Sequence, residues 1–211
     1  MRPRILLDAC GVLLDTITPI LDIFNAKAIE RFGSEWRPRT VDEIRHYYVH
    51  ESLGLDREFD KEVWSSIGTG WCRSLKPYPG AVTGVRLLRE AGDVFFVTKP
   101  LESCPTWASE RAKSLAEHFG ATGDEIVSTA AKRTVAGDIL VDDHKKNLEM
   151  WAKHFPFGIP IRWLRCKFED YYSGPETNRW GDVLRWAYDR NRFLGNNPRY
   201  WTPQPQVYDE R

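Results

Sequence analysis

The chain has 211 residues, with 30 Lys and Arg set against 30 Asp and Glu. That length can bury a sizeable core, as one large domain or as a core with a modest insert. Balanced charge leaves no broad basic face, which argues against nucleic acid or an anionic membrane surface as a partner.

Ile5, Leu6 and Leu7 form a short apolar run of the kind buried on both faces of a parallel sheet. Arg2, Arg4 and this run superficially resemble a signal peptide, but Asp8 interrupts the apolar stretch and no small-residue cleavage site follows. No apolar run reaches the roughly 18 residues of a membrane span. Cys10, Cys72, Cys104 and Cys166 are widely spaced, with no C-x-x-C pair. They are read as reduced thiols, the last three as ordinary buried ones, and a cytoplasmic location is expected.

Thr18-Pro19 offers a helix start, with Ile20, Phe24, Ala28 and Phe32 at i+4 spacing and Gly33 as the stop. Thr40 to Glu43 has the spacing of a capping box ahead of a second helical stretch, and a third runs from about Asp56 to Ile67. After the turn signal "LKPYPG" the pattern changes. "AVTGVRLLREAG" reads as a helix and "VFFVT" as a strand. "PTWASERAKSLAEHFG" reads as a helix with Ala108, Ala112, Leu115 and Phe119 on one face. "EIVST" and "DILVDD" are strands, "KKNLEMWAKH" a helix, "IPIRWL" a strand and "NRWGDVLRWAYDR" a closing helix.

Strands alternating with helices predict an α/β fold, a three-layer doubly wound parallel sheet. A small helical cap is inserted after its first strand. Residues 1–15 and 77–190 are expected to form the core, 16–76 the cap and 191–211 a C-terminal tail. Ligands of such sheets bind at the carboxyl ends of the strands. Asp8, Thr98, Asp142 and Asp143 fall at those ends, with Lys132 shortly after another. Carboxylates and a lysine on one rim can hold Mg²⁺ and a phosphate together. A carboxylate nucleophile at Asp8 needs the metal and Lys132 to offset its repulsion of a phosphate. Thr98 would donate to a phosphoryl oxygen.

In this order "LLDACGVLLD", "FVTKP", Lys132 and "DILVDDHKKN" resemble the four motifs of the haloacid dehalogenase superfamily of phosphohydrolases. The closer resemblance is to its 5′(3′)-deoxyribonucleotidase (cytosolic type C) branch, over roughly residues 4 to 165. "LKPYPGA" and "CPTWASERAKSLAEHFG" share in it. The resemblance implies a Mg²⁺-dependent phosphomonoesterase acting on a small phosphorylated substrate, a nucleotide or deoxynucleotide. Asp8 would become an aspartyl phosphate, Lys132 would orient and neutralise, and Thr98 would bind phosphate. Asp8, Asp142 and the main-chain carbonyl of Cys10 would hold the metal, supported by Asp143.

Three positions depart from the branch. Cys10 replaces the acid that protonates the leaving group and then activates water. A thiol of ordinary pKa about 8.5 can donate a proton at neutral pH but is softer and a poorer hydrogen-bond acceptor than a carboxylate; loss of a general acid or base removes about 10² to 10⁴ in rate. Lys99 replaces a serine beside the phosphate, and either adds charge to the pocket or points to solvent. Thr16 stands where the branch has an aromatic that stacks on the base.

Tyr47, Tyr48, Trp64 and Trp71 are expected to pack the insert's own core, with a lid over a flat substrate as the alternative. His46 and His50, at i and i+4, are read as an exposed helix face, and His144 as the start of a helix. Two other functions compete. One is a binding or regulatory protein that keeps the site but has lost turnover through Cys10. The other is a phosphonatase-like hydrolase, which would need a lysine of the insert, Lys27 or Lys61, for Schiff-base chemistry. The acidic pair argues against a metal-free dehalogenase.

Overall fold

The computed structural model describes residues 2–196. Six strands form one all-parallel sheet: β1 (Arg4–Asp8), β2 (Asp93–Thr98), β3 (Ile126–Ser128), β4 (Ile139–Asp142), β5 (Ile159–Trp163) and β6 (Glu176–Thr177), in the order β3-β2-β1-β4-β5-β6. Helices α1 (Ile17–Phe32), α2 (Val49–Leu53), α3 (Arg57–Ser65) and α4 (Trp71–Ser74) lie between β1 and the core helix α5 (Ala81–Ala91). The rest are α6 (Trp107–Phe119), α7 (Lys145–His154) and α8 (Trp180–Asn196). No described helix is long and apolar enough to cross a membrane.

β1 is the central strand because its run is apolar on both faces. Ile5 and Leu7 pack with Val85, Leu88 and Val183 of α5 and α8, whereas Leu6 faces the other way with Leu140, Leu148 and Trp151 of β4 and α7. Leaving β1, the chain builds β2 and β3 on one side, then returns to place β4 on the other. That reversal opens a crevice at the carboxyl ends of β1 and β4, where Asp8 and Asp142 end their strands.

The insert has its own apolar cluster, including Ile17, Phe24, Phe59 and Val63, completed by Trp107 and Cys104 of the core. Its two connections run side by side: Asp15 N–H donates to the Lys76 carbonyl at 2.8 Å, and Tyr78 N–H to that of Leu13 at 2.9 Å.

Several local expectations are corrected. Helix α1 starts at Ile17, because Asp15 Oδ1 accepts from Thr18 N–H at 3.0 Å and does the capping assigned to Thr18. The capping box at Thr40 forms, but closes only one 3₁₀ turn, Val41–Glu43, before Ile44 turns extended. His46 and His50 share no helix, since α2 begins at Val49; His50 is buried, 3.2 Å from Asp60. On α6 the buried face is Trp107, Glu110, Arg111, Ser114, Leu115 and Phe119, and Ala108 is exposed. Apolar periodicity missed this face because half of it is polar. β6 was not foreseen. Cys72 and Cys104 are buried as expected and Cys166 only partly so; all four cysteines are free. Helix α8 runs on to Asn196, past the expected start of the tail at 191, and residues 197–211 lie outside the described residues.

Candidate active site

Lys132, in a 3₁₀ turn after β3, is 4% exposed and sends its ammonium between two strand ends. Its Nζ lies 2.7 Å from Asp8 Oδ1 and 2.8 Å from Asp142 Oδ2. Asp142 is held on every side: Oδ1 also accepts from His144 N–H at 2.8 Å, and the Asn147 amide reaches both oxygens at 3.2 and 3.1 Å. His144 is the N-cap residue of α7, as expected. Asp143 Oδ2 is paired with Arg165 Nε at 2.6 Å.

Asp8, Asp142 and Asp143 each offer a carboxylate oxygen, all within 4.8 Å of one another. Three carboxylates share this buried space with one ammonium and one guanidinium. Burial pushes Asp8 and Asp143 above the usual carboxylate range, opposed by Lys132 at Asp8 and by Arg165 at Asp143. Burial would pull the Lys132 ammonium down, but Asp142 and Asp8 outweigh it and hold the proton on. One more positive charge, ringed by hard oxygen donors, fits the residual negative charge; the donor set suits Mg²⁺.

Gly11 makes the approach possible. It sits at φ +74°, and a Cβ there would lie 2.1 Å from Asp143 Oδ2 and 3.0 Å from Arg165 Cδ. Glycine is thus required both by its backbone angle and by the ion pair laid across it.

Above this rim lies a cavity of about 490 Å³. The core lines it with Asp8, Cys10, Lys99, Lys132 and Asp143, and the insert with Ile17, Tyr47, Tyr48, Asp60 and Trp64. Lys99 is exposed and belongs to the cavity wall. Asp142 and Thr98 sit behind the wall at 0% and 1% exposure. Among the described residues the Thr98 hydroxyl has no hydrogen-bond partner, which is unusual for a buried donor. Thr16 is buried in the wall, and Trp107 of α6 adds a ring that the sequence reading had not assigned.

The expectation for the insert's aromatics therefore splits. Tyr47, Tyr48 and Trp64 line the cavity, whereas Trp71 packs between Trp64 and Trp107. Tyr47 stacks on His144 with ring centroids 3.9 Å apart. Its carbonyl accepts from Arg165 Nη2 at 3.0 Å, which ties the insert to the acid cluster. Lys27 and Lys61 are instead bound to Glu62 at 3.0 Å and Glu58 at 2.6 Å, and neither lines the cavity.

At Cys10 the structure adds a partner. Arg111 Nη2 donates to Cys10 Sγ at 2.9 Å, and burial pushes the thiol above its ordinary value despite that guanidinium. Arg111, Arg165, Asn147 and Trp107 were all missed as site residues. Arg165 follows β5 by two positions, so the strand-end rule that found Asp8 reaches it too. Arg111 lies in "CPTWASERAKSLAEHFG", a segment that shares in the resemblance, but no spacing or strand end singles it out there.

Comparison with known proteins fits this geometry. Residues 2–161 match the model of the 5′ nucleotidase, deoxy (pyrimidine), cytosolic type C family. A human 5′(3′)-deoxyribonucleotidase, cytosolic type, is 30% identical over 198 residues, 90% of this chain and 94% of that one. A candidate 5′(3′)-deoxyribonucleotidase of Staphylococcus aureus is 28% identical over 189 residues, 89% of this chain and 97% of its own. Among solved structures, a candidate haloacid dehalogenase-like hydrolase of Burkholderia xenovorans superposes with a TM-score of 0.54 at 14% identity, covering 89% of this chain and 97% of its own; that likeness bears on the fold alone. A family match over residues 2–161, on a sheet whose switch point gathers the motif residues, places the chain in the cytosolic type C 5′ nucleotidase family of the haloacid dehalogenase superfamily.

Proposed function

We propose that the protein is a Mg²⁺-dependent phosphomonoesterase of small nucleotides that works through an aspartyl phosphate on Asp8, with turnover lowered by Cys10. One observation carries this reading: the Lys132 ammonium is clamped between Asp8 and Asp142 at the sheet's switch point, under an aromatic-walled cavity. Asp8, Asp142, Asp143 and the Cys10 main-chain carbonyl would hold Mg²⁺. When bound, the metal supplies the positive charge that lets an anionic phosphate approach a carboxylate.

Asp8 attacks phosphorus, and the bond to the leaving oxygen breaks as the acyl phosphate forms. Lys132 favours the ionised form of Asp8 against burial and orients it, and the Thr98 hydroxyl donates to a phosphoryl oxygen. The Cys10 thiol, kept protonated by burial, gives its proton to the leaving alkoxide. Water then attacks the phosphorus of the acyl phosphate, gives its proton to the thiolate left on Cys10 and restores Asp8. The thiol serves the first step poorly, because burial raises its pKa and makes it a weaker acid than a carboxyl group. Where the leaving group takes no proton, the sulfur stays protonated and cannot act as base in the second step. The cap, residues 16–76, excludes water by closing on paired connections near Asp15 and "LKPYPG". Trp64 and Tyr48 offer faces to a base, in place of the aromatic absent at Thr16.

The competing reading, a nucleotide-binding protein without turnover, draws on Cys10 alone. Two measurements on one preparation separate them: phosphate release from deoxynucleoside monophosphates, and a calorimetric titration with the same ligands. Release that requires Mg²⁺ supports the enzyme; tight binding with no release supports the binder. Mg²⁺ should also raise the melting temperature of the native protein, and Asp142→Ala should abolish that shift. An unchanged shift in the variant rules out the metal site.

A further inference from the structure

Among the described residues Arg111 is a buried charge without a counter-charge. The side chain is 0% exposed, and its Nε and Nη1 have no hydrogen-bond partner. Its one hydrogen bond runs from Nη2 to Cys10 Sγ at 2.9 Å. The acid beside it in sequence, Glu110, is spent elsewhere, accepting from the main-chain N–H groups of Gly70 at 2.7 Å and Arg73 at 3.3 Å. The Trp107 ring, 5.3 Å from Cζ, gives the cation a partial substitute only. A neutral sulfur is a weak acceptor, and a guanidinium out of water demands an anion with which its fork can form paired bonds.

We infer that Arg111 is the positioning residue of site 10, and that its guanidinium is built to hold a carboxylate there. The inference rests on the reading of Cys10 as the residue that serves the leaving group. In the present protein Arg111 occupies the sulfur's acceptor side, so the S–H is turned away from Arg111 and is available to the cavity, which Cys10 lines. With a carboxylate at position 10, Nη2 and one of the two unpaired nitrogens, Nε or Nη1, would form the paired bonds that fix the acid's angle. Arg111 itself is absent from the cavity lining and acts only through residue 10.

The test is a double-mutant cycle in saturating Mg²⁺ on the full chain, combining Cys10→Asp with Arg111→Met, with Arg111→Lys as the variant that keeps the charge. Melting temperature needs no turnover, so this arm stands even if the phosphatase reading fails. Arg111→Met should leave the melting temperature of the Cys10 protein unchanged or raise it, because it removes an uncompensated charge. In the Cys10→Asp protein the same change should lower it by at least about 5 °C, and Arg111→Lys should recover part of the loss. In the activity arm, any gain in nucleotide kcat/KM from Cys10→Asp should shrink at least about tenfold with Arg111→Met, while kcat/KM for p-nitrophenyl phosphate, whose leaving group needs no proton, stays within about twofold. An Arg111→Met effect equal in both backgrounds, in temperature and in the ratio of the two substrates, overturns the inference and leaves Arg111 as packing.

Discussion

Replacing Lys132 by methionine should destabilise the metal-free protein by about 3–5 kcal/mol, the usual penalty for removing one partner of a buried ion pair. The ammonium is 4% exposed and touches carboxylates of two neighbouring strands, at 2.7 and 2.8 Å. Methionine fills similar volume but leaves Asp8 and Asp142 with no cation between them and only Arg165, on Asp143, to oppose the three acids. Mg²⁺ should restore much of the loss, because a divalent ion replaces the missing charge, so its stabilising shift should be larger in Lys132→Met than in the native protein. Turnover should fall by about 10² to 10³, as when a preorganised electrostatic partner of the transition state is removed. Urea unfolding with and without Mg²⁺ checks the first claim. A loss below about 1 kcal/mol would mean that the three acids are not a charged cluster.

The second large effect lies at Cys10. An ordinary sugar alkoxide is strongly basic and needs a proton as it leaves, whereas p-nitrophenolate does not. Cys10→Asp should therefore raise nucleotide kcat/KM by about 10² or more and change that of p-nitrophenyl phosphate far less. The native protein should favour the activated ester by more than its Cys10→Asp variant does. Comparison of kcat/KM for both substrates in both proteins measures this. Unchanged or lower nucleotide hydrolysis in the variant would remove Cys10 from the proton-transfer step.

The sheet was legible because its strands carry their own signal. Ile5 to Leu7 and Ile139 to Val141 are continuous apolar runs, and such runs alternating with helices fit strands buried on both faces of a parallel sheet. The acids were legible for a related reason, since a charged residue that ends an apolar run has few places to go except the strand's carboxyl end. Lys132 was found through its distance from the acidic pair. Arg111 was not, because its environment is made by Cys10, 101 residues away, and no local pattern encodes that contact. Glu110, on the same turn of α6, was missed likewise, as its partners belong to the far end of the insert. The helix at Thr40 failed because a capping box starts a turn but cannot propagate it without a favourable run behind it. Trp64 and Tyr48 were assigned to packing because composition cannot tell a ring that fills a core from one that walls a cavity.

The most direct test of the account is the covalent intermediate. With Cys10 in place, attack by Asp8 on an activated ester is expected to outrun water's attack on the acyl phosphate, so the aspartyl phosphate should accumulate. Acid quench of the native protein turning over p-nitrophenyl phosphate with Mg²⁺, followed by peptide mass analysis, should find one phosphoryl group on Asp8. The same peptide from Asp8→Asn should carry none. Release of p-nitrophenolate by native protein with no phosphoryl group on Asp8, or equal release by Asp8→Asn, would contradict the account.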